Sequence, residues 1–338
     1  MILAKPSDEQ LSVKRANTVS PVISVVIVNY RTPTLTKEAI RSIERARKHI
    51  PLNCVVVDNS SGDGSVEAIK LEVEKNDWDW CTIIASKNNA GFSAGNNIGI
   101  RSCDSDYVLL LNSDAQVREH AIEILYQELQ HHPNVAIVSP RLEWPDASTQ
   151  ISCFRFFRPI CELTRAASFG WLTRQLPDSE VAISTERIHS PQGERFEWTS
   201  FACVLIRRSA YELIGGMDEA YFMYYDDVDF CKEASKRNLE LRHVPAARVV
   251  HLRGGTSPVK RLQSERKRRP GYFYESRSRY YAKHFGLIGL LKANLYWMSG
   301  FMIGRFKSIV TRRPPSHCSF EWIDIWKGFG KNAGVTKL

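Results

Sequence analysis

Polar side chains follow three of the apolar runs in this sequence, at the point where each run ends. Asn29 and Arg31 follow the first run, Asp58 follows the second, and Asn112 and Asp114 follow another. Carboxylate oxygens at such a place can bind a hard divalent cation that bridges phosphates. Each cluster taken alone is also an ordinary turn sequence, since Asn, Asp and Ser dominate turns. Three of them at one sheet edge favour a composite pocket.

Two further groups carry ionisable side chains. Asp226, Asp227 and Asp229 stand at the predicted start of a helix, directly after several aromatic residues. The helix dipole alone favours carboxylates there. Crowded carboxylates also raise one another's pKa, which suits a general base. His251 ends an apolar run and is either a structural histidine or a second metal ligand beside Asp114.

The apolar runs predict strands that alternate with helices up to about residue 139. We predict strands at 23–29, 54–57, 82–85, 107–111 and 135–138, and helices at 34–50, 65–73, 91–101 and 121–131. Ser65 is the predicted N-cap of the second helix. This alternation is typical of an open α/β sheet with buried parallel strands. Ligands bind such sheets at the carboxyl ends of the strands, which is where the polar clusters fall.

The second half of the sequence is less regular. We predict an irregular insert over 145–195, strands at 198–206, 241–244 and 248–251, and helices at 209–214 and 227–237. Residues 285–304 are moderately apolar but contain Lys292 and four glycines, which makes a membrane span a poor interpretation. An amphipathic helix at a membrane surface is favoured, and an ordinary packed helix stays open.

Length and composition exclude several classes of protein. The chain has 338 residues, of which 43% are hydrophobic and 25% charged, so collagen-like, disordered and disulfide-scaffold proteins are excluded. The net charge is +9, but residues 253–313 hold 15 basic and 2 acidic residues. This local excess predicts an anionic partner, phosphates or a lipid surface, rather than nucleic acid. Eight cysteines without a C-x-x-C pair, and an N-terminus without an apolar signal segment, favour the cytosol.

Six stretches of the sequence resemble the inverting family 2 glycosyltransferases, and most closely their rhamnosyltransferase-like branch. They are SVVIVNYR at 24–31, VVDNSSGDGS at 56–65, NNAGFSAGNN at 88–97, YVLLLNSDA at 107–115, and the longer segments 198–238 and 244–257, in the family's order. The resemblance implies a GT-A (Rossmann-like) α/β fold, with a mixed, mainly parallel sheet flanked by helices and a helical C-terminal extension. It divides the chain into a disordered lead-in, a nucleotide-sugar-binding half, an acceptor-binding and catalytic half, and a basic amphipathic extension, at 1–21, 22–140, 141–285 and 286–338.

The resemblance also implies roles for single residues on the donor side. Asp58 is expected to contact the nucleotide base, with Asn29 and Arg31 nearby. Gly91 and Asn97 are expected at the start of a donor-binding helix. The stretch around Gly91 lacks the G-x-G-x-x-G spacing of a dinucleotide fold, and the chain has no P-loop.

On the catalytic side, the resemblance implies that Asp227 is the general base, with Asp226 beside it. Asp114 matches the last position of the family's D-x-D motif, and His251 is expected to be an additional ligand of Mg²⁺ or Mn²⁺. Arg277 is expected near the diphosphate. Asn112 stands at the first D-x-D position, which departs from the family pattern. Phe201 also departs from it, replacing a small residue of the acceptor pocket.

The function implied is transfer of a sugar from a dTDP- or UDP-sugar to a glycan or lipid-linked glycan acceptor in cell-surface polysaccharide assembly. The enzyme would act in the cytoplasm, at the inner face of the cell membrane. The basic loop 253–269 is a candidate lid over the phosphates, and a solvated run of charges is the alternative. Two alternatives stay open. One is an inactive nucleotide-sugar-binding protein. The other is a nucleotidyltransferase, although the Gly- and Lys-rich signature of that class is missing near the first strand.

Overall fold

The computed structural model describes residues 23–176, 179–254, 257–312, 314 and 317–331. The predicted lead-in at 1–21 therefore lies outside the described residues. Strands and helices alternate through the first half of the chain, as predicted. They are β1 Ile23–Asn29, α1 Pro33–Ala46, β2 Leu52–Asp58, α2 Ser65–Lys75, β3 Cys81–Ala85, α3 Phe92–Arg101, β4 Tyr107–Asn112, β5 Ala115–Val117, α4 Ala121–His131 and β6 Val135–Glu143.

Several details of this half differ from the sequence prediction, and β6 ends at Glu143 rather than at residue 138. The strand β5 was not expected, and α1 ends at Ala46 rather than near residue 50. The N-cap of α2 is Gly64, whose φ is 83°, and not Ser65. Ser65 is the first residue of the helix, and its hydroxyl donates a hydrogen bond to the Asp63 carboxylate instead.

The second half of the chain holds five short elements, β7 to α7 in the list below, where the sequence predicted an irregular insert. The elements are β7 Cys153–Phe154, α5 Cys161–Ala167, α6 Gly170–Gln175, β8 Ala182–Ile183, α7 Thr185–Ile188, β9 Trp198–Thr199, β10 Cys203–Arg207, α8 Arg208–Ile214, α9 Asp226–Lys236, β11 Glu240–His251, α10 Val259–Ser264, α11 Gly271–Thr311 and α12 Glu321–Asp324. The strand predicted at 198–206 is split into β9 and β10. The two strands predicted at 241–251 form the single strand β11, with a register shift after Val244.

Eight strands form one mixed sheet in the order β3-β2-β1-β4-β10-β6-β11-β5. The pairs among β3, β2, β1 and β4 are parallel, as is the β6–β11 pair. The antiparallel pairs are β10 with β4 and β6, and β11 with β5. A second, antiparallel sheet joins β8, β7 and β9. This architecture confirms the predicted mixed, mainly parallel α/β sheet flanked by helices.

Apolar side chains cover both faces of the large sheet. Val25 and Ile27 pack on one face in a cluster with α1 and α4, whereas Val26 on β1 belongs to a cluster on the other face with α8, α9 and α11. The side chains of Val25, Val26 and Ile27 are all fully buried. Each buried Val or Ile contributes roughly 1.5–3 kcal/mol, so continuous apolar strands such as β1 are stable only when covered on both sides.

The long helix α11 packs against the short α5 through Gly300 and Gly304. A Cβ on Gly300 would lie 2.3 Å from the Leu163 carbonyl oxygen, so only glycine permits this approach. Gly286, with φ of 69° and ψ of 179°, interrupts the helical geometry of α11. The segment predicted at 285–304 is thus the middle of a 41-residue helix. Among the described residues, no helix is both long and apolar enough to cross a membrane.

Candidate active site

A cavity of about 490 Å³ opens at the carboxyl ends of β1 and β4. Its volume lies in the range typical of small-molecule sites. Six of the eleven residues predicted from the sequence line it: Gly91, Asn112, Asp114, Asp226, Asp227 and His251. The cavity therefore joins the first half of the chain to the second, and it contains the candidate metal ligands and the candidate base together.

Strand pairing brings Asp114 and His251 together across more than a hundred residues of sequence. The residue after Asp114 begins β5, and Ala115 pairs with His251 at the end of the antiparallel β11. The Leu252 amide donates a hydrogen bond to the Asp114 carbonyl oxygen over 3.0 Å. As a result, the His251 Nε2 atom lies 3.4 Å from the Asp114 Oδ1 atom, and both side chains are buried.

These side chains fit a divalent cation. The Asn112 Oδ1 atom is buried, and it has no hydrogen-bond partner among the described residues. Together with the Asp114 carboxylate and the His251 imidazole, it offers oxygen and nitrogen donors at one end of the cavity. Mg²⁺ and Mn²⁺ sites of this kind use few protein ligands, because phosphate oxygens and waters complete the coordination.

A second group of possible metal ligands lies away from this cavity. Donor atoms of His49, His120 and Glu123 all lie within 4.8 Å of one another. Both histidines are exposed, and none of the three residues lines the cavity. This group is therefore separate from the predicted site at Asp114.

Asp226 and Asp227 enter the cavity from the first turn of α9. Asp226 is 7% exposed, and Asp227 is half-buried. Burial raises the pKa of both carboxyls, and the neighbouring charge of Asp227 raises the pKa of Asp226 further. Backbone N–H groups of Val228 and Phe201 donate hydrogen bonds to Asp227 and partly offset its shift. The Asp226 Oδ2 atom has no hydrogen-bond partner in the described part of the chain.

Strained backbone leads into this helix. Tyr224 and Tyr225 have φ values of 70° and 65°, in the left-handed region that bulky residues avoid at a cost of roughly 1–2 kcal/mol each. The Tyr225 ring packs beside Phe273, with centroids 6.1 Å apart, and its hydroxyl accepts a hydrogen bond from Arg165. The Tyr224 hydroxyl is 2.9 Å from the Ser257 hydroxyl. Packing thus holds the chain in the turn that aims both carboxylates at the cavity.

Two cations of the basic loop line the cavity, and the sequence did not single them out. They are Arg253 and Lys260. Burial lowers the pKa of Lys260, the charge of Arg253 lowers it further, and the nearby Asp114 carboxylate acts in the opposite direction. The only sequence signal was the charge of the loop 253–269. Within that loop the structure describes 253–254 and 257–269, and lid closure stays a prediction.

Asn29, Arg31 and Asp58 do not line the cavity. The Asn29 amide donates a hydrogen bond to Asp58 over 2.6 Å, and the Ser61 hydroxyl donates another over 2.6 Å. The Arg31 amide donates to the Ser61 oxygen. These hydrogen bonds join the loops that follow β1 and β2. The loops lie next to the cavity, because the adjacent Val28 and Asn59 line it. Contact between Asp58 and a nucleotide base stays a prediction.

Arg277 is not placed near the cavity, contrary to the prediction. Its side chain is completely buried in α11, where the Nε atom lies 3.1 Å from Glu162 and the Nη1 atom donates to Asn294 over 2.7 Å. A guanidinium enclosed by a carboxylate and an amide of the core cannot reach a ligand there. The Arg277 side chain instead ties α11 to α5.

Asn97 and Asp229 do not line the cavity either, and donor binding by Asn97 stays a prediction. The Asn97 amide donates to the Met217 carbonyl over 2.8 Å and accepts from the Tyr211 hydroxyl over 2.7 Å. It therefore joins α3 to the segment before α9. Asp229 accepts hydrogen bonds from Tyr221, Lys283 and His284. The three clustered carboxylates thus divide into two that line the cavity and one that fastens α9 to α11.

Gly91 is required by a close approach of two backbones. Its φ is 94°, and a Cβ would lie 2.1 Å from the Phe222 carbonyl oxygen. The next amide, that of Phe92, donates to the same carbonyl over 2.7 Å. The Asn59 amide donates to the Gly91 carbonyl over 2.9 Å. Aromatic residues Phe222 and Tyr272, with ring centroids 5.2 Å apart, form the wall beyond this contact.

Comparison with known proteins places part of this chain in a family. Residues 24–175 match the model of glycosyl transferase family 2. The chain carries a family 2 glycosyltransferase domain. The cavity extends beyond the matched residues, because the carboxylates of α9, His251 and the basic loop come later in the chain.

Curated relatives support the family and extend the match. The low-salt glycan biosynthesis hexosyltransferase of Haloferax volcanii is 28% identical over 239 residues, which cover 68% of this chain and 66% of that protein. The N-acetylglucosaminyl-diphospho-decaprenol L-rhamnosyltransferase of Mycobacterium tuberculosis is 27% identical, covering 73% of this chain and 82% of that protein. The resemblance to rhamnosyltransferase-like members of the family is confirmed.

A solved structure confirms the fold. The mannosyltransferase of Pyrobaculum calidifontis, solved in complex with GDP-Man and Mn²⁺, aligns with a TM-score of 0.51 at 15% identity. The alignment covers 94% of this chain and 87% of that one. The predicted GT-A architecture is therefore correct, and its C-terminal helical extension is the helix α11.

Proposed function

We propose that this protein is an inverting hexosyltransferase that moves a sugar from a dTDP- or UDP-sugar to a hydroxyl group of a glycan or lipid-linked glycan. Rhamnose is the sugar that the relatives favour. The observation that carries the proposal is one cavity that holds both the Asp114–His251 pair and two carboxyls whose pKa values burial raises. A donor site and a base thus lie within reach of one small molecule.

Asp227 is the general base in this proposal. It is the more exposed of the two carboxyls, and the backbone N–H groups that contact it favour its ionised form. Asp226 is more deeply buried, and the charge of Asp227 favours its protonated form. The pair therefore shares one proton, with the negative charge on Asp227. A carboxylate destabilised by burial is a stronger base than an ordinary aspartate, which suits proton abstraction near neutral pH.

The reaction is a single displacement. Asp227 accepts the proton of the acceptor hydroxyl, and the oxygen attacks the anomeric carbon from the face opposite the diphosphate. A new C–O bond forms as the bond from that carbon to the diphosphate oxygen breaks, so the configuration inverts. The electron pair of the broken bond leaves on the nucleoside diphosphate, where negative charge develops.

Arg253 and Lys260 are placed to bind that charge. Both line the cavity, and the charge of Asp114 is close enough to influence the pKa of Lys260. Groups that contact charge where it develops stabilise the transition state most strongly in a site that excludes water. A divalent cation held by Asp114, His251 and Asn112 would supply further electrostatic stabilisation of the diphosphate when bound.

We propose that the acceptor is lipid-linked and that the enzyme works in the cytoplasm, at the inner face of the cell membrane. Support comes from the relative in M. tuberculosis, whose name specifies a diphospho-decaprenol acceptor. The basic C-terminal region, with 15 basic and 2 acidic residues over 253–313, agrees with an anionic surface nearby.

Nucleotide binding and turnover test the proposal separately. Ligands that bind only the folded state raise its melting temperature, so dTDP, UDP and their sugars are screened with and without Mg²⁺ or Mn²⁺. We expect stabilisation by at least one of these nucleotides, stronger with metal. Asp227→Asn should abolish transfer while the nucleotide still binds, whereas the exposed Asp104→Asn should behave as wild type. Full turnover by Asp227→Asn would contradict the assignment of the base.

A further inference from the structure

The second part of α11 carries a stripe of exposed apolar side chains. Their exposure ranges from 40% to 73%. We refer to them as the apolar stripe: Ile288, Leu291, Leu295, Met302, Phe306 and Ile309. Their spacing of three, four or seven residues places all six on one side of an α-helix, over a length of about 32 Å. Soluble monomers rarely expose so long an apolar surface without a partner.

The opposite side of the same helix is fully used by the core. Leu290, Ala293 and Trp297 are buried to within 1% of their surface, and Gly300 and Gly304 lie against the backbone of α5. At 100° per residue, these positions lie on the side of α11 opposite the apolar stripe. The stripe is therefore not a displaced part of the core, because α11 already has its internal contacts.

Positive charge flanks the apolar stripe. Lys292, Arg305 and Lys307 belong to this part of α11, and Arg312 directly follows its last residue. Residues 285–312 contain no Asp or Glu. A second copy of the chain packed stripe to stripe would bring these cations close together without a carboxylate from either segment. An anionic lipid surface complements both the apolar stripe and its basic flanks.

Tryptophans lie beside the stripe on both sides. On one side, Lys307 donates a hydrogen bond to the Ser168 carbonyl and lies 5.2 Å from the Phe169 ring, which places the half-exposed Trp171 next to the helix. On the other side, Trp322 and Arg305 line another cavity, of about 500 Å³. Trp side chains favour the boundary between lipid headgroups and hydrocarbon, so both are suited to a bilayer surface.

We propose that α11 lies flat on an anionic bilayer, with the apolar stripe buried at the boundary between headgroups and acyl chains. Tyr272, at the start of the same helix, lines the cavity, so one helix carries both the membrane contact and part of the candidate active site. This inference rests on the membrane location in the proposed function and names the helix that makes the contact. Binding to lipid requires no turnover, so it can be tested apart from sugar transfer.

Flotation of the full-length protein with vesicles tests the proposal. Vesicles of phosphatidylcholine, with and without phosphatidylglycerol, are the probes. We expect the protein to bind the anionic vesicles and salt to weaken this binding. The double variant Lys292→Gln, Arg305→Gln should weaken vesicle binding about fivefold for each cation removed. Phe306→Ser with Ile309→Ser should weaken it at least about tenfold, because less apolar surface is buried.

The matched control removes exposed leucines elsewhere. Leu71 and Leu213, on α2 and α8, are 67% and 60% exposed, and their replacement by Ser should leave vesicle binding unchanged. Nucleotide-induced stabilisation should be the same in all variants, which separates failure of this proposal from failure of the proposed function. Equal vesicle binding by the stripe variant and wild type would overturn the proposal. So would a dimer in sedimentation velocity that the stripe variant abolishes, if no vesicle binding is seen.

Discussion

Replacing Arg277 with Met separates a structural from a donor-binding role for this arginine. The family resemblance puts Arg277 near the diphosphate, whereas the structure buries it against Glu162 and Asn294. Methionine keeps much of the apolar volume and removes the charge. Because the side chain is completely buried, the variant leaves the Glu162 carboxylate in the core with fewer partners.

The magnitude follows from the partners that Glu162 keeps. Breaking a buried ion pair from one side costs about 3–5 kcal/mol. Burial alone would raise the pKa of Glu162, but the charges of Arg165 and Arg277 hold it below its ordinary value. Arg165 at 2.8 Å and Tyr281 at 2.9 Å remain in the variant. We therefore expect the lower end, about 3 kcal/mol. In a chain of this size that loss lowers Tm by roughly 4 °C.

The assay compares Arg277→Met with Arg253→Met, which removes a cation that lines the cavity. Melting temperature and the Kd for dTDP or UDP are measured for both. Arg277→Met should lower Tm and leave the nucleotide Kd of the folded protein unchanged, and Arg253→Met should weaken nucleotide binding with little effect on Tm. Adding Glu162→Gln to Arg277→Met should recover part of the lost stability. An unchanged Tm with weaker nucleotide binding in Arg277→Met would refute the buried-pair argument.

Three further predictions test the packing and the electrostatics of the site. Gly91→Ala should lower the free energy of unfolding in urea by more than about 3 kcal/mol, because its Cβ would overlap the Phe222 carbonyl. Gly62 also has a positive φ but open space around it, so Gly62→Ala should lower that free energy by only about 1 kcal/mol. Gly300→Val should destabilise the protein by separating α11 from α5, seen as a lower Tm, and an unchanged Tm would contradict that contact. The pKa of Asp226 is raised from 3.8 to about 8, so its contribution to stability is complete below pH 3.8 and is lost as pH rises through about 8. Asp226→Asn should flatten this part of the Tm–pH curve.

The strands of the first half could be predicted because buried parallel strands are continuously apolar. The predicted strand at 23–29 coincides with β1, and α4 was predicted to the residue. In contrast, the splitting of the strand predicted at 198–206 has no local signal. Residues 200–202 leave the sheet there and line the cavity, so the break depends on the site and not on the strand's composition.

Side-chain direction is the part of the site that the sequence could not supply. A motif indicates that an arginine stands at 277 or an asparagine at 97, but not whether the side chain turns toward the cavity or the core. For Arg277 the decisive partner, Glu162, lies in the segment that the sequence predicted to be irregular. The pairing of Asp114 with His251 likewise depends on β5, a three-residue strand too short to recognise from periodicity.

The position of the candidate base depends on packing that is distant from it in sequence. Tyr225 keeps its left-handed conformation because Arg165, from α5, and Phe273, from α11, fix its side chain. That conformation starts α9 with Asp226 and Asp227 facing the cavity, where burial raises the pKa of both. Loss of the α5–α11 contact would therefore free Tyr225, expose the carboxyls to water and return their pKa values toward that of an ordinary aspartate. The raised pKa of the candidate base thus depends on the packing of the C-terminal helix against α5.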